Sequence, residues 1–299
     1  MVTNYGLSIV GAGRLGRSLG RSLRERGWKI QAVVTRSPST AKRAVRSIGG
    51  GRPSDRIGRS VFSAPLILIS VPDCAIPGVV DRISSFGDDL RGHIILHTSG
   101  ALGSGILAAL RPMGAAVGSF HPLQTFSGVG TPRLEGRVFA VEGDAAAVRV
   151  SRAAVRALGG QVVLVRSSAK PAYHAAASIS AGMVLSLVET AIQIFASLGM
   201  KRREALRALL PLTRQVLENQ ETLGARAAWT GPLARGDYQV IAAHEKALRP
   251  YPEEYLAAYR AVNRLSARVL ARDPENMLRE LTSLSEETAK KTNTEGVIA

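Results

Sequence analysis

The stretch "SIVGAGRLGRSLGRSL", residues 8–23, decides the fold. It places Gly11, Gly13 and Gly16 in the spacing G-x-G-x-x-G, after a short apolar run and before an amphipathic segment. A strand that enters this turn and continues into a helix lets backbone N–H groups and the helix N-terminus approach a pyrophosphate. The sequence therefore predicts a dinucleotide-binding βαβ unit, for which a glycine turn without a ligand is the alternative.

Apolar runs and helical segments alternate from this stretch to residue 165. The predicted strands are 7–10, 30–35, 66–71, 93–97, 115–120, 137–141 and 161–165, and the predicted helices between them are 14–26, 38–48, 74–85, 103–110 and 144–158. This order predicts an α/β, Rossmann-like, doubly wound and mainly parallel sheet. The glycine-rich stretch 48–58 is predicted to be a mobile loop.

The pattern changes after residue 166, where strand signals end and helical patterns fill the rest of the chain. These helices are predicted at 167–199, 201–221, 238–248, 253–271 and 274–290. We therefore expect a dinucleotide-binding Rossmann-like domain over 1–165 and an all-α substrate and dimerisation domain over 166–290. The polar residues 291–299 are predicted to form a frayed tail.

The end of the second predicted strand indicates which dinucleotide binds. An NAD site usually has Asp or Glu at this point, whereas this strand continues "VVTRSPSTAKR", residues 33–43, without an acid. Arg36 is suited to pair with a 2′-phosphate, so we expect NADP(H) in preference to NAD(H); a surface arginine is the alternative. For Asp73, after the strand of 66–71, capping of the next helix is the alternative to a cofactor contact. The predicted cofactor-binding residues are Gly11, Gly13, Arg14, Leu15, Gly16, Thr35, Arg36, Ser37, Val71, Pro72 and Asp73.

Two loops rich in polar side chains are predicted to leave the carboxyl ends of later strands, where ligands bind in open α/β sheets. They are "HTSG", residues 97–100, and "SFHPLQTF", residues 119–126. From them we expect substrate contacts by His97, Thr98, Ser99, Gly100 and Gln124 and a catalytic role for His121. A purely structural role is the alternative for each histidine.

The stretch "AKPAYHAAAS", residues 169–178, places Lys170 and His174 one helical turn apart among small residues. Side chains four residues apart share one face of a helix. Hydride transfer to a carbonyl needs a proton donor beside the oxygen, and either residue is suited to that role. A solvated helix start, with an exposed lysine and a packed histidine, is the alternative.

The segment "AWTGPLARGD", residues 228–237, interrupts the helical half with two glycines and a proline. Polar irregular loops often carry function. Arg235 is predicted to hold a substrate carboxylate or phosphate and Asp237 to orient it. Structural pairing of the two residues, or capping of the next helix by Asp237, is the alternative.

The composition excludes several classes of protein. The 299 residues carry a formal net charge of +16, yet aromatic residues make up only 5% and are not interleaved with the basic ones, so we expect no nucleic-acid partner. The basic balance instead suits a small anionic substrate. The single cysteine, Cys74, and the absence of a signal-peptide pattern predict a cytoplasmic protein. The apolar stretch 181–200 contains Glu189 and Gln193, which predicts a buried helix rather than a membrane span. No metal site is predicted.

Six strings together carry a resemblance to a known family: "VGAGRLG", "VPDCAI", "LHTSGAL", "GSFHPLQTF", "KPAYHAAAS" and "TGPLARGD". They span the chain from residue 8 to about residue 248. The sequence resembles a family of oxidoreductases with a Rossmann-like domain and a C-terminal domain of unknown function. That family is related to the 6-phosphogluconate dehydrogenase-like group, which includes β-hydroxyacid dehydrogenases, ketopantoate reductases and prephenate dehydrogenases.

The resemblance implies a dinucleotide in the N-terminal half, a substrate site at the junction of the two halves and a homodimer built through the helical domain. In β-hydroxyacid dehydrogenases a helix entering the second domain carries a catalytic Lys with an Asn four residues later. Lys170 matches that Lys, and His174 stands where the Asn would be. His121 and Pro122 are similar to a His-Pro pair near the substrate in prephenate dehydrogenases.

Two functions follow as hypotheses. The first is an NADP(H)-dependent oxidoreductase of a small oxo or hydroxy acid, with Lys170, His174 or His121 as proton donor. The second is a non-catalytic NADP-binding sensor or scaffold, because a fold alone does not determine function. A deazaflavin in place of NADP(H) is the alternative hydride partner.

Overall fold

The computed structural model describes residues 5–86, 89–128 and 130–295. The chain forms two compact units, Met1–Gly182 and Met183–Ala299. The boundary was expected near residue 165. The first unit continues past that point because the buried Lys170 side chain is hydrogen-bonded to residues of the sheet.

An eight-stranded sheet forms the centre of the first unit. Its strands are β1 Gly6–Val10, β2 Lys29–Val34, β3 Arg52–Ser54, β4 Leu66–Ile69, β5 Ile94–His97, β6 Ala116–Pro122, β7 Val138–Gly143 and β8 Gln161–Leu164. They are ordered β3-β2-β1-β4-β5-β6-β7-β8, and every neighbouring pair is parallel except β6 with β7. The predicted doubly wound, mainly parallel sheet is thereby confirmed.

Helices cover both faces of this sheet because successive strand residues point to opposite sides. In β4, Leu66 and Leu68 belong to one core cluster, whereas Ile67 and Ile69 belong to the other. The first cluster packs against α1 Arg14–Glu25, α2 Pro38–Ile48 and α5 Ala145–Ala157; the second packs against α3 Arg59–Phe62 and α4 Ile76–Phe86. Both faces of the strands are apolar, as expected for a buried parallel sheet.

Two predictions for the first unit were wrong. The supposed mobile loop 48–58 contains β3, which pairs with β2; its proline is tolerated because β3 is an edge strand. The predicted helix 103–110 is a 3-10 helix, Ser104–Leu110. The unit ends with β8, a short 3-10 turn Ser167–Ala169 and α6 Lys170–Ser178, followed by a π-helical turn at Ile179–Met183.

The second unit is all-α within the described residues. Its helices are α7 Val184–Ser197, α8 Arg202–Leu223, α9 Ala225–Ala228, α10 Pro232–Arg235, α11 Tyr238–Leu248, α12 Glu253–Leu270 and α13 Pro274–Glu295. Leu233, Ile241, Ala267 and Leu281 form its small core. The predicted frayed tail is wrong as far as Glu295, where α13 ends, and 296–299 lie outside the described residues.

The apolar stretch 181–200 was predicted to be a buried helix, and this is wrong for the single chain. Leu185 is 68% exposed and Leu198 is 74% exposed, and Ile192 alone in α7 is buried. By length and composition, the helical run Ser167–Ser197 is also able to cross a membrane. Periodicity correctly predicted a helix, but it did not reveal that most of this helix is exposed in the single chain.

Candidate active site

The glycine turn between β1 and α1 has the geometry of a dinucleotide site. Gly11 has φ +89°, and a Cβ there would lie 2.3 Å from the Ser70 carbonyl oxygen. A Cβ on Gly16 would lie 2.4 Å from the Gly11 carbonyl oxygen, so the helix packs directly on the turn. A Cβ on Gly13 would meet nothing within 4 Å, and no side chain caps this helix end. Gly11 and Gly16 therefore pack against backbone atoms, whereas Gly13 leaves free space where a phosphate would approach.

The residues around this turn also lie where the prediction placed them. Arg14 is exposed at the first position of α1, and its guanidinium stem lies beside Gly128. Leu15 is half-buried. Val71 packs closely on Gly11, because a Cβ on Gly11 would lie 2.5 Å from the Val71 Cγ1. The ends of β1 and β4 are thus adjacent, and their contacts with a cofactor stay a prediction.

The end of β2 presents an unpaired cation. The Thr35 N–H donates to the Ser54 carbonyl at 3.0 Å, and the Ser37 hydroxyl caps α2 by accepting from the Thr40 N–H at 3.4 Å. Between them, the exposed Arg36 makes no hydrogen bond or ion pair within the described residues. A guanidinium held on an ordered turn and left unpaired is suited to a 2′-phosphate.

A cleft of about 390 Å³ adjoins this turn on the side of β3. It is lined by Pro38, Lys42, Arg52, Pro53, Ser54, Asp55, Arg59 and Ser60. Three cations and one carboxylate give it a positive balance, which extends the positive field of Arg36.

Asp73 does not cap a helix. It lies in the first turn of a 3-10 segment whose N-cap is Pro72, and its side chain makes no capping bond. Instead its carboxylate accepts a 2.7 Å hydrogen bond from the Ser99 hydroxyl. The same hydroxyl oxygen accepts from the N–H groups of Ala101 and Leu102, at 3.2 and 3.0 Å. Ser99 therefore joins the loop after β4 to the loop after β5.

Lys170 lies under these loops and is completely buried. Its ammonium donates to the Ser99 carbonyl oxygen at 2.9 Å and to the Ser119 hydroxyl at 2.6 Å. Burial lowers the pKa of Lys170 to about 8, although the charges of Glu142 and Asp73 favour the protonated form. The solvated helix start, with Lys170 exposed, is therefore wrong. The site contains a buried cation with no carboxylate within hydrogen-bond distance.

His121 and His174 face each other above Gly100. Their rings meet edge to face, with centroids 5.7 Å apart. A Cβ on Gly100 would lie 2.4 Å from the His174 Nδ1 and 2.8 Å from the His121 Nε2, so residue 100 has no room for a side chain. His174 Nδ1 is buried without a hydrogen-bond partner. The two rings thus present nitrogens to one small region, as a proton-transfer site requires.

His121 is neutral at physiological pH. Burial lowers its pKa to about 4, and the positive charge of Lys170 adds to the effect. The residue was predicted on a loop but lies on β6, two positions after Ser119 and therefore on the same face of the strand. Its Nδ1 is hydrogen-bonded to the Tyr173 hydroxyl at 2.9 Å.

His97 and Thr98 are buried and bonded to the protein. The His97 Nδ1 accepts from the Ser99 N–H at 3.2 Å, and burial, followed by the charge of Lys170, lowers its pKa to about 4. The Thr98 hydroxyl lies 3.4 Å from the Ile69 carbonyl oxygen. The side chain of Gln124 accepts from the N–H of Thr125 at 2.9 Å. Their substrate contacts stay a prediction, and the bonds seen here shape the loops.

Arg235 and Asp237 lie in the second unit and pair with each other. The Arg235 Nε donates to the Asp237 Oδ2 at 2.9 Å, and both side chains are partly exposed. Asp237 makes no side-chain capping bond to α11. The alternative of structural pairing is thus observed, and a role in substrate binding stays a prediction.

Three residues of this cluster were absent from the predicted site: Ser119, Tyr173 and Glu142. Ser119 was detectable by its alternation with His121. Tyr173 gave no signal, because its partner lies 52 positions earlier in the chain. Glu142 accepts from the Ser104 N–H and hydroxyl at 2.5 and 2.8 Å, and its charge favours the protonated form of Lys170 more than that of Asp73 does. Among the described residues, no group of three His, Cys, Asp or Glu side chains could hold a metal ion.

Comparison with known families finds two matches along the chain. Residues 3–122 match the Rossmann-like domain family, and residues 137–266 match a domain of unknown function, DUF2520. The matched segments are thus a Rossmann-like domain followed by a DUF2520 domain. This confirms the family resemblance stated from the sequence. No curated protein matches the sequence significantly.

Solved structures share the fold over most of their length. A protein of Bacteroides fragilis, with an inferred assignment as an NADP oxidoreductase, is 19% identical with a TM-score of 0.73, covering 88% of this chain and 98% of its own. A Thermotoga maritima protein is 24% identical with a TM-score of 0.64, covering 94% and 99%. The Aspergillus terreus reductive aminase, in complex with NADPH and ethyl-5-oxohexanoate, is 18% identical with a TM-score of 0.61, covering 96% and 95%. At these identities the likeness shows the fold.

Proposed function

We propose that this protein is an NADPH-dependent oxidoreductase that reduces the carbonyl group of a small oxo acid, or oxidises the corresponding hydroxy acid. The observation that carries the proposal is the arrangement of two sites on one sheet. The open glycine turn lies after β1. The Lys-His cluster, which consists of Lys170, His121 and His174, is built from β6 and α6 beside the loop that follows β5. Ligands of open α/β sheets bind at these carboxyl ends.

The residues present fit NADP(H). Gly13 leaves the N-terminus of α1 open to a pyrophosphate, and Arg36 is unpaired where a 2′-phosphate would lie. When bound, NADPH would supply a hydride to the substrate. Support also comes from the fold neighbours, since the reductase of A. terreus was determined with NADPH and an imine reductase of Myxococcus stipitatus with NADP⁺.

The Lys-His cluster supplies the charge and the proton that hydride addition requires. Negative charge develops on the carbonyl oxygen, and a fixed cation in a dry site stabilises it. Lys170 is that cation below a pH of about 8. Because Lys170 has no exposed surface, the proton reaches the substrate from His121 or His174, whose nitrogens converge above Gly100. A buried ammonium without a bound carboxylate also favours an anionic substrate.

A carbon–nitrogen double bond is the second candidate for the reduced group. It is favoured by the fold neighbours, which include imine reductases and a reductive aminase. An imine nitrogen needs the same hydride and a proton from the same position, so the cluster would serve both substrates.

We also propose a cytoplasmic homodimer formed through the second unit. Large apolar side chains are exposed on both α7 and α8, among them Leu185, Leu187, Leu212, Val216, Leu217 and Leu223. Large exposed apolar side chains in such number are typical of surfaces that bind another protein. Light scattering without detergent should give about twice the chain mass of 31.7 kDa. Leu212→Glu should weaken the dimer, whereas the control Gln215→Glu on the same helix should not. A protein that stays dispersed only in detergent would contradict this proposal.

The catalytic proposal is tested by following NADPH oxidation with a panel of small 2-oxo acids and a parallel panel of imines. His121→Asn and His174→Asn should each lower kcat by about 10²- to 10⁴-fold while leaving NADPH affinity unchanged. His244→Asn is the matched control, because that histidine also pairs with a tyrosine but lies in the second unit. Tight NADPH binding without turnover on either panel would favour the sensor or scaffold.

A further inference from the structure

Tyr173 is the residue that holds His121 in place. Its hydroxyl lies 2.9 Å from the His121 Nδ1, and the two rings meet edge to face with centroids 5.6 Å apart. Tyr173 is one position before His174 on α6, whereas His121 is on β6. The hydrogen bond therefore ties the helix that carries His174 to the strand that carries His121.

Only one direction of this hydrogen bond gives the phenolic proton an acceptor within the described residues. Within the described residues, His121 Nδ1 is the only hydrogen-bond partner of the Tyr173 hydroxyl. If Nδ1 carried the proton and donated it, the phenolic O–H would have no acceptor. If the phenol donates, its proton and the Nδ1 lone pair are both used, and the Nε2–H is the group left for a substrate.

The protonation states of both groups agree with this direction. Burial raises the pKa of Tyr173, so the phenol keeps its proton. Burial and the charge of Lys170 lower the pKa of His121, so its ring is neutral and carries a single proton. The charged or titratable groups that act on His121 are Lys170, His174 and His97. A neutral imidazole that accepts at Nδ1 must carry its proton on Nε2.

The Nε2 proton then points to the region above Gly100. The His121 Nε2 makes no hydrogen bond within the described residues, and the His174 Nδ1 beside it is buried without a partner. The protein thus leaves one donor and one nitrogen facing each other with no room for a side chain between them. The His121 Nε2, unlike the His174 Nδ1, is not fully buried, so a substrate heteroatom would have to reach it from outside this filled region.

We propose that Tyr173 is a positioning residue that fixes the tautomer of His121, so that the neutral imidazole presents Nε2–H to the substrate oxygen or nitrogen. This rests on the proposed function and names which of the candidate proton donors faces the substrate. The Nε2–H proton passes to the heteroatom as the hydride reaches the adjacent carbon. The Tyr173 proton moves to Nδ1 in the same step, so His121 stays neutral, and the Tyr173 oxygen then regains a proton from solvent.

The experiment is ¹⁵N NMR of the full chain labelled at its five histidines. We expect the wild-type His121 to show a protonated Nε2 and an Nδ1 resonance shifted by hydrogen bonding. In Tyr173→Phe the Nδ1 resonance should move toward that of an unbonded acceptor nitrogen. The pKa of His121 should rise by roughly half a unit to one unit, because the bond that favours the neutral ring is lost.

A second tyrosine–histidine pair provides the matched control. The Tyr259 hydroxyl lies 2.8 Å from the His244 Nδ1 in the second unit, so Tyr259→Phe should shift His244 and leave His121 unchanged. With a turned-over substrate, Tyr173→Phe should lower kcat about tenfold or more and leave the affinity for NADPH unchanged.

A wild-type His121 with its proton on Nδ1, or His121 resonances that do not move in Tyr173→Phe, would overturn the inference. Both outcomes are read without turnover. They would leave the proposed reductase intact, whereas failure to bind NADPH would remove the proposed function and leave the tautomer result unaffected.

Discussion

The buried charge of Lys170 should make the stability of the first unit depend on pH. The pKa of this lysine falls from 10.5 to about 8 in the folded chain. Between these two pH values the unfolded chain binds more protons than the folded chain, so the free energy of unfolding rises as the pH rises. A shift of this size corresponds to about 3 kcal/mol. Lys170 thus destabilises the fold by that amount at neutral pH and ceases to do so near pH 10.5.

The variant Lys170→Met isolates this effect because it keeps the length of the side chain and removes the charge. It also leaves the Ser99 carbonyl and the Ser119 hydroxyl without their donor, at a cost that does not vary with pH. The stability of the wild type relative to Lys170→Met should therefore increase by about 3 kcal/mol between pH 7 and pH 10.5. Lys42→Met is the control, because Lys42 is exposed and should show no such difference.

The assay is urea denaturation followed by the fluorescence of Trp28, which is buried in the first unit. The chain has two tryptophans, so a Trp229→Phe background removes the signal of the second unit. Protein concentration must be held constant, since association also stabilises. If the difference between wild type and Lys170→Met is the same at pH 7 and pH 10.5, Lys170 is not a desolvated ammonium in the folded state, and its proposed role as the fixed cation fails.

Three further predictions concern single positions. Gly16→Ala should destabilise the first unit by more than about 1 kcal/mol, since its Cβ would lie 2.4 Å from a backbone oxygen. Gly13→Ala should fold normally and lose dinucleotide affinity. Thermal melts measure the first effect and NADPH titration measures the second. Gly100→Ala should abolish turnover and keep NADPH binding, because its Cβ displaces the two histidine nitrogens; equal kcat in both proteins would contradict this. Glu245→Gln should destabilise the second unit by about 1–3 kcal/mol, because the half-exposed Arg260 then donates to a neutral amide instead of a buried carboxylate; wild-type stability in chemical denaturation would contradict this.

The sequence predicted most of the first unit because local patterns determine it. Seven of the eight strands follow from their apolar runs, and the glycine turn follows from spacing. The strand that was missed, β3, has three residues including Pro53 and no alternation to detect. Its existence depends on pairing with β2, which is a tertiary effect.

The site was predictable in its residue types but not in its contacts. Lys170 and His174 were selected from their spacing, yet spacing does not reveal that Lys170 is buried under Ser99. Tyr173 became visible only when β6 and α6 were placed side by side. The exposed face of α7 shows the same limit, since an apolar helix pattern does not reveal whether the helix is buried within its own chain.

The measurement that tests the central claim most directly is a parallel titration of NADPH and NADH on the native protein and on Arg36→Glu. Arg36→Glu tests the cation at the end of β2, and Arg43→Glu, in the following helix, provides a matched change of charge. The account predicts tight NADPH binding, weak NADH binding, and a loss of this difference in Arg36→Glu that exceeds the loss in Arg43→Glu. Binding of neither nucleotide at millimolar concentration would contradict the account at its base, because the glycine turn would then serve another ligand or none.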